Sequence, residues 1–312
     1  MNILLIGGTG LVGSYLLPKL VDCHHHVFTL TRRSDNIEKI KTLGATGILG
    51  DIRHPAEWSQ SFKNLDLIIL LAMPSVQPGK RINKRRKAAL RVETNDFFTN
   101  SLDLALQYDV PIILPGGTSF TTIGDDIADE TWPIQRVGLT EIGKDTDDMI
   151  FKAIQRQKPP MIQLLFGKIY GNGGLFRFQY DMMNKNKAKI IGDGGNCIPN
   201  IHADDVSSAI MTSIEKMPIG EKIIIADDTP VTQKEFMYYM AELMGKKKPV
   251  SIPDFIIKFI LGNDIYDVIK MNCKVSNHKA KRLLGWKPTY PSYKEGLEIT
   301  INEMARSLPY FA

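Results

Sequence analysis

The chain has 312 residues, 43% of them hydrophobic and 23% charged, with 25 Gly and 17 Pro. These globular proportions exclude disorder, a collagen-like repeat and a disulfide mini-scaffold. The net charge of +5 traces to residues 80–91 (KRINKRRKAALR), which hold seven basic residues and no acidic one, so a nucleic-acid partner is not expected and a phosphate-bearing ligand is the better functional expectation. The longest apolar run, residues 67–73, is far too short to cross a bilayer, so no membrane partner is expected. The start of the chain has no basic stretch followed by a long apolar region, so no signal peptide is expected. Three cysteines, Cys23, Cys197 and Cys273, have no CxxC spacing and suit a reducing compartment, which makes a cytoplasmic protein the default.

In chain order, short apolar runs at 2–6, 26–30, 47–49, 67–71, 111–114 and 161–166 read as strands. Amphipathic stretches fall between them, among them 12–21 and 92–108, where Val92, Phe98, Leu102 and Ala105 approximate one face. Strands that alternate with helices predict βαβ units and an α/β fold with a Rossmann-type, doubly wound parallel sheet. Residues 222–226 read as a late strand. Beyond Asp228 the pattern is mostly helical (232–244, 254–261 and 292–306), which predicts a smaller C-terminal lobe. The expected division is a dinucleotide-binding body of 1–170 plus 198–228 and a substrate lobe of 171–197 plus 229–312.

The sharpest motif is Gly7-Gly8-Thr9-Gly10-Leu11-Val12-Gly13, which follows a strand and opens an apolar-periodic helix. Glycines there allow a tight turn, close approach of backbone to a pyrophosphate and close packing of helix on strand. The helix N-terminus offers unpaired N–H groups and a positive dipole end, so Gly7, Thr9, Gly10, Leu11 and Val12 are the expected cradle. The second strand ends Thr31-Arg32-Arg33 without a carboxylate at its tip. A carboxylate would repel a 2′-phosphate, whereas a guanidinium grips it bidentately. NADP(H) is therefore favoured, held by Arg32 ahead of Arg33 with Thr31 as a hydroxyl donor. Asp35 leaves NAD(H) open.

The same glycines fit GxxGxxG, and here the chain resembles the short-chain dehydrogenase/reductase superfamily, in particular its extended branch of nucleotide-sugar epimerases, dehydratases and dihydroflavonol-reductase-like enzymes. Gly50-Asp51-Ile52 resembles the element beside the adenine, and Leu71-Ala72-Met73 the fourth-strand wall of the cofactor cleft. Asn95 matches the fourth-helix asparagine. Residues 166–173 (FGKIYGNG) are similar to the element that enters the substrate lobe, 201–206 (IHADDV) to V-H-V-D-D-V, and 284–288 (LGWKP) to L-G-W-x-P. The resemblance implies an NAD(P)-dependent oxidoreductase or epimerase/dehydratase acting on a small carbonyl, hydroxyl or nucleotide-sugar substrate. It also implies a homodimer paired through the fourth and fifth helices.

The resemblance implies a serine that polarises the substrate oxygen, for which Ser119 is the match and Thr118 the fallback. It also implies a tyrosine acid/base with a lysine four residues on. Lys144 fits the lysine, but Thr140 stands in the tyrosine's place. A phenol has a pKa of about 10 that a nearby cation lowers, whereas a threonine hydroxyl is far less acidic and cannot take over by that route. Another acid (Tyr170 or Glu141) could serve, or Lys144 itself if desolvated, or the protein is a catalytically silent dinucleotide-binding regulator. Asn172 and His202 are candidate substrate residues, with Asp181, Asn196 and Asn200 as further ones. Asp204 or Asp205 is the expected cap of a helix that begins at Val206. No metal site is expected at Cys23-His24-His25-His26, where adjacent residues cannot all face one ion.

Overall fold

In the computed structural model, which describes residues 1–62, 64–74 and 76–306, the apolar runs form strands and the amphipathic stretches helices. Residues 307–312, assigned to the lobe from the sequence, lie outside the described residues. The strands are β1 (Asn2–Ile6), β2 (His26–Thr31), β3 (Thr46–Leu49), β4 (Leu67–Leu70), β5 (Ile112–Gly117), β6 (Met161–Phe166) and β7 (Lys168–Tyr170). They continue as β8 (Lys189–Ile191), β9 (Cys197–Ile198), β10 (Asn200–His202), β11 (Lys222–Ile225), β12 (Val231–Thr232) and β13 (Val250–Ile252). The helices are α1 (Leu11–Asp22), α2 (Asp35–Thr42), α3 (Lys84–Tyr108), α4 (Lys144–Arg156), α5 (Gly174–Asn184) and α6 (Ala203–Lys216). Then come α7 (Gln233–Leu243), α8 (Asp254–Leu261), α9 (Asn263–Lys270), α10 (His278–Leu284) and α11 (Tyr293–Arg306).

Seven strands pair in parallel in the order β11-β6-β5-β4-β1-β2-β3. The chain steps outward from β1 to β3, then returns to β4 on the other side of β1. That reversal opens a crevice at the carboxyl ends of the strands, where ligands bind in this architecture. Leu16, Leu17, Leu20 and Ile210 cover one face of the sheet, and Phe97, Phe98, Leu102 and Ile150 cover the other. Burial on both faces is why β1, β4 and β6 read as unbroken apolar runs. The lobe has its own core of Tyr170, Phe176, Met183, Phe236, Met240 and Leu297, stitched by the short pairs β7–β10, β9–β12 and β8–β13.

Two local expectations are corrected. The basic segment does not simply precede its helix, because residues 84–91 form the first two turns of α3. Asn83 caps that helix by accepting the Arg86 N–H (2.8 Å), and carboxylates from elsewhere in the chain pair with two of its cations. Lys87 reaches Glu141 (2.8 Å) and Asp264 (2.6 Å), and Arg91 reaches Asp145 (2.5 Å). Likewise α6 begins at Ala203 rather than Val206, and His202 is its cap, with Nδ1 accepting the Asp204 N–H at 3.1 Å.

The Asp205 carboxylate does something else. Fully buried, it accepts the backbone N–H groups of Thr289 (2.6 Å) and Tyr290 (3.0 Å), tying α6 to the segment that leads into α11. Burial raises its pKa and the two amides oppose that shift. Asp205→Ala leaves both donors buried and unpaired and should cost roughly 2–4 kcal/mol of stability in urea unfolding.

Candidate active site at the carboxyl ends of the strands

Gly7 ends β1 at φ +106°, and a Cβ there would lie 2.6 Å from the Ala72 nitrogen. A Cβ on Gly13 would lie 2.4 Å from the Gly7 carbonyl oxygen. The turn is thus held between the end of β4 and the first turn of α1. Gly10 opens that helix without a side-chain cap, and its first turn carries no acidic residue. The amides of Leu11 and Val12 and the positive end of the dipole therefore face the crevice mouth beside Thr9.

Thr31 is buried, and its hydroxyl accepts the Arg33 N–H (3.3 Å) and the Asn36 amide (3.3 Å). It shapes the turn that presents Arg32 rather than offering its own hydroxyl outward. Arg32 is exposed, and Arg33 lies 3.9 Å from Asp35. The Asp51 carboxylate, which could have received a ribose hydroxyl, is gripped by the Arg53 guanidinium (2.5–3.1 Å). Arg53 holds that carboxyl below its usual range, and the charge of Arg32 adds to the effect. Ile52 is buried, and its carbonyl accepts the Asn100 amide (2.8 Å). Leu71 and Ala72 are partly buried and Met73 is exposed, forming the wall beyond β4.

At the end of β5, the Thr118 hydroxyl bonds the Phe166 carbonyl (3.3 Å), so the fallback residue is tied to β6. Ser119 is buried, with its N–H on Gly117 (2.8 Å) and its carbonyl on the Gln135 N–H (2.7 Å). Among the described residues no hydrogen bond holds its hydroxyl.

The tyrosine's place is a structural turn. Residues 138–143 form a 3-10 helix in which the Thr140 hydroxyl both accepts the Val137 N–H and donates to the Val137 carbonyl, each at 2.8 Å. α9 packs directly on this turn, so closely that a Cβ on Gly138 would lie 2.3 Å from the Asp264 carbonyl oxygen. Lys144 starts α4 with a 58% exposed side chain, 3.5 Å from Glu141. Glu141 is held ionised, chiefly by Lys87. The Asn95 amide donates to Asp145 (2.9 Å), whose carboxyl is pushed down to about 2 by Arg91 and by that bond.

Two other candidates are enclosed, and a third, Asn172, is partly buried. Tyr170 is fully buried, edge-on to Phe236 and His202, and its hydroxyl presses on Gly296. Burial raises its pKa far above the ordinary phenol value, so the structure does not bring it into the site as an acid. His202 is engaged by Asp204 and by Thr300 (3.1 Å) and is buried. Asn172 donates its N–H toward the Tyr15 hydroxyl (3.4 Å), with its side-chain oxygen buried and unpartnered among the described residues. A separate hollow of about 450 Å³ lies between the starts of α7 and α11. Its carboxylates Glu235 and Glu295 already cap those helices, bonded to Thr232 and Ser292.

Lys168 is the residue that the sequence motif contained without pointing to. It opens β7, two residues past Phe166 at the end of β6, just as Ser119 lies two residues past Gly117, the β5 residue in register with Phe166. The ammonium lies 5.3 Å from the centre of the Phe236 ring, and among the described residues no carboxylate pairs with it. Enclosure by protein pushes its pKa down to about 8 while the side chain keeps some solvent contact. The available signal was the one charged residue in the motif FGKIYGNG.

These features are those of a dinucleotide-binding α/β enzyme scaffold. The NAD dependent epimerase/dehydratase family matches residues 3–226, and the chain belongs to it. An Arabidopsis thaliana "Epimerase family protein SDR39U1 homolog, chloroplastic" is 24% identical over 95% of this chain and 86% of its own length. A reductase relative is matched over 45% of its length. The human epimerase family protein SDR39U1, solved with NADPH, superposes with a TM-score of 0.78 at 16% identity, covering 97% of this chain and all of that one. UDP-glucose 4-epimerase from Thermotoga maritima, solved with UDP-glucose, gives 0.80 at 22% identity over 98% and 99% of the two chains. Among the described residues no helix is long and apolar enough to cross a membrane.

The His202 cap carries a pH dependence. Burial lowers its pKa from 6.5 to about 4, so below pH 6.5 the unfolded chain takes up a proton that the folded ring refuses. Stability should fall as pH drops from about 6.5 to 4. His202→Asn, which can still cap, should flatten that slope in thermal melts across the same window.

Proposed function

We propose that this chain is an NADP(H)-preferring oxidoreductase or epimerase/dehydratase that moves hydride reversibly at a carbinol carbon of a small carbonyl, hydroxyl or nucleotide-sugar substrate. One observation carries the cofactor preference: Arg32 stands beyond the tip of β2, while the nearby acid, Asp51, is already matched by Arg53. The human neighbour with NADPH supports the same choice. The backbone of Gly7, Thr9, Gly10, Leu11 and Val12 would hold the pyrophosphate, and Arg32 with Arg33 the 2′-phosphate. Asp51, Ile52 and the Leu71-Ala72-Met73 wall would flank the dinucleotide, with Asn95 and Lys144 beyond them. When bound, the nicotinamide supplies or accepts the hydride. Ser119 donates a hydrogen bond that polarises the substrate oxygen. The Lys168 amine, with a pKa near the working range, gives or takes the proton that the tyrosine handles elsewhere in the family. On the outside, α3 and α4 expose Val92, Leu106 and Phe151, which supports pairing of two copies through those helices.

A second reading is favoured by Thr140 and Lys144. One hydroxyl is closed within its own turn and one ammonium sits in solvent, as suits a dinucleotide-binding regulator that does not turn over.

Arg32→Glu should weaken NADPH binding about tenfold to a hundredfold while leaving NADH binding nearly unchanged in fluorescence titration. Lys168→Met should retain NADPH binding yet lose turnover on a panel of ketones and nucleotide sugars, along with the limb near pH 8 in the kcat profile. Turnover that persists in Lys168→Met assigns the proton to another group. A wild type that binds NADPH tightly but turns over none of the panel supports the regulator.

A further inference from the structure

Two helix-to-strand turns of the lobe are built alike. α5 and α7 each end in a left-handed residue, Asn186 (φ 54°) and Gly245 (φ 60°). In both, the next N–H bonds back to the helix, Lys187 to Met182 and Lys246 to Ala241, each at 2.8 Å. One turn leads into β8 and the other into β13, and these strands pair in parallel with Lys189 beside Val250. Parallel pairing forces both turns to the same end of the ribbon. Lys185, Lys187 and Lys189 from one turn therefore share an edge with Lys246, Lys247 and Lys248 from the other. One cation per helix end satisfies the C-terminal dipoles, and this edge has six. Lys248 rests 5.2 Å from the Tyr238 ring, none of the six makes an ion pair among the described residues, and Glu242 is the one acidic residue within 184–190 and 241–250.

The chain leaves this edge through β13 into α8, where apolar side chains face water. Val250 is 62% exposed, Phe255 72%, Phe259 82% and Ile260 50%, whereas Ile257 is buried against the protein. Phe255 and Phe259 are one helical turn apart on the outer face, with exposed Lys258 between them. The lysine edge and α8 are joined by the three residues of β13, and exposed phenylalanines carried on the same short segment as unpaired lysines match a surface that is apolar just beneath an anionic layer.

We propose that the lysine edge and the outer face of α8 form a peripheral docking surface for an anionic lipid bilayer. The lysines meet headgroup phosphates and carboxylates, and Phe255, Phe259 and Ile260 enter the acyl boundary. Nucleic acid would satisfy the lysines but leave the aliphatic Val250 and Ile260 in water. A second copy packed by two-fold symmetry would set six lysines against six. Bilayer-spanning length plays no part in such docking, so the shortness of the apolar runs does not bear on it.

The test is co-sedimentation of the full chain with vesicles of phosphatidylcholine alone and of phosphatidylcholine and phosphatidylserine in equal parts, at low and at physiological salt. Binding should appear only with phosphatidylserine and weaken with salt. The pair Phe255→Ser and Phe259→Ser should reduce it about tenfold or more, and the triple change Lys187→Glu, Lys247→Glu and Lys248→Glu should abolish it. All five positions are solvent-facing, so thermal melts and NADPH binding should match wild type, which separates loss of docking from loss of fold. No binding by wild type to the anionic vesicles overturns the proposal, as does binding that survives both sets of changes. A dimer by light scattering that the serine pair dissociates, or duplex DNA binding with no vesicle binding, also overturns it.

Discussion

The geometry rests on a place where no side chain fits. Gly7 runs against the backbone that ends β4, and Gly13 runs against the Gly7 carbonyl. Those approaches set α1 close on the sheet, where Leu16, Leu17 and Leu20 join the core beneath α6. They also fix the direction of its N-terminus over the strand-order reversal, so the dipole and the free amides meet the same crevice. A Cβ at either position would push the helix away from β4, and the wall at Leu71-Ala72 would no longer face the glycine turn.

At the start of α3, two cations are paired with distant carboxylates rather than left to solvent. The basic stretch that gives the chain its positive balance works as an internal clamp at two positions, Lys87 and Arg91. Lys87 links α3 to Glu141 on the 3-10 turn and to Asp264 at the start of α9, and Arg91 links it to α4 through Asp145. The lobe is thereby drawn down onto the turn that carries Thr140. On that turn the Thr140 hydroxyl is closed on the Val137 backbone, and α9 packs against the same turn at Gly138. In the function proposed above the proton passes instead through Lys168, whose ammonium has neither a counter-ion among the described residues nor full access to water.

Much of the scaffold was legible from one dimension. Each of β1, β4 and β6 is a short apolar run because both of its faces are covered, and the glycine spacing marks the first turn without reference to anything distant. The start of α3 was not legible, since seven basic residues on one segment suggest a solvated connection until Glu141, Asp145 and Asp264 are brought to it from 54 to 177 positions away. The cap of α6 went to His202 rather than to an aspartate because Asp205 is drawn inward by the amides of Thr289 and Tyr290. Periodicity does not encode a bond of that length.

The sequence alone therefore determined the strand and helix alternation, the glycine turn and the arginine tip of β2, all of which depend on residues within one or two turns of each other. Tertiary structure alone decided which polar groups remain available. It closed the hydroxyls of Thr140 and Thr31 on nearby backbone and side chains, and it enclosed Tyr170 and His202 in the lobe core. It also left the Ser119 hydroxyl without a hydrogen bond and the Lys168 ammonium without a counter-ion among the described residues. The physical reason is that availability depends on desolvation and on partners, and both are set by whatever the fold packs against a group rather than by its neighbours in the chain.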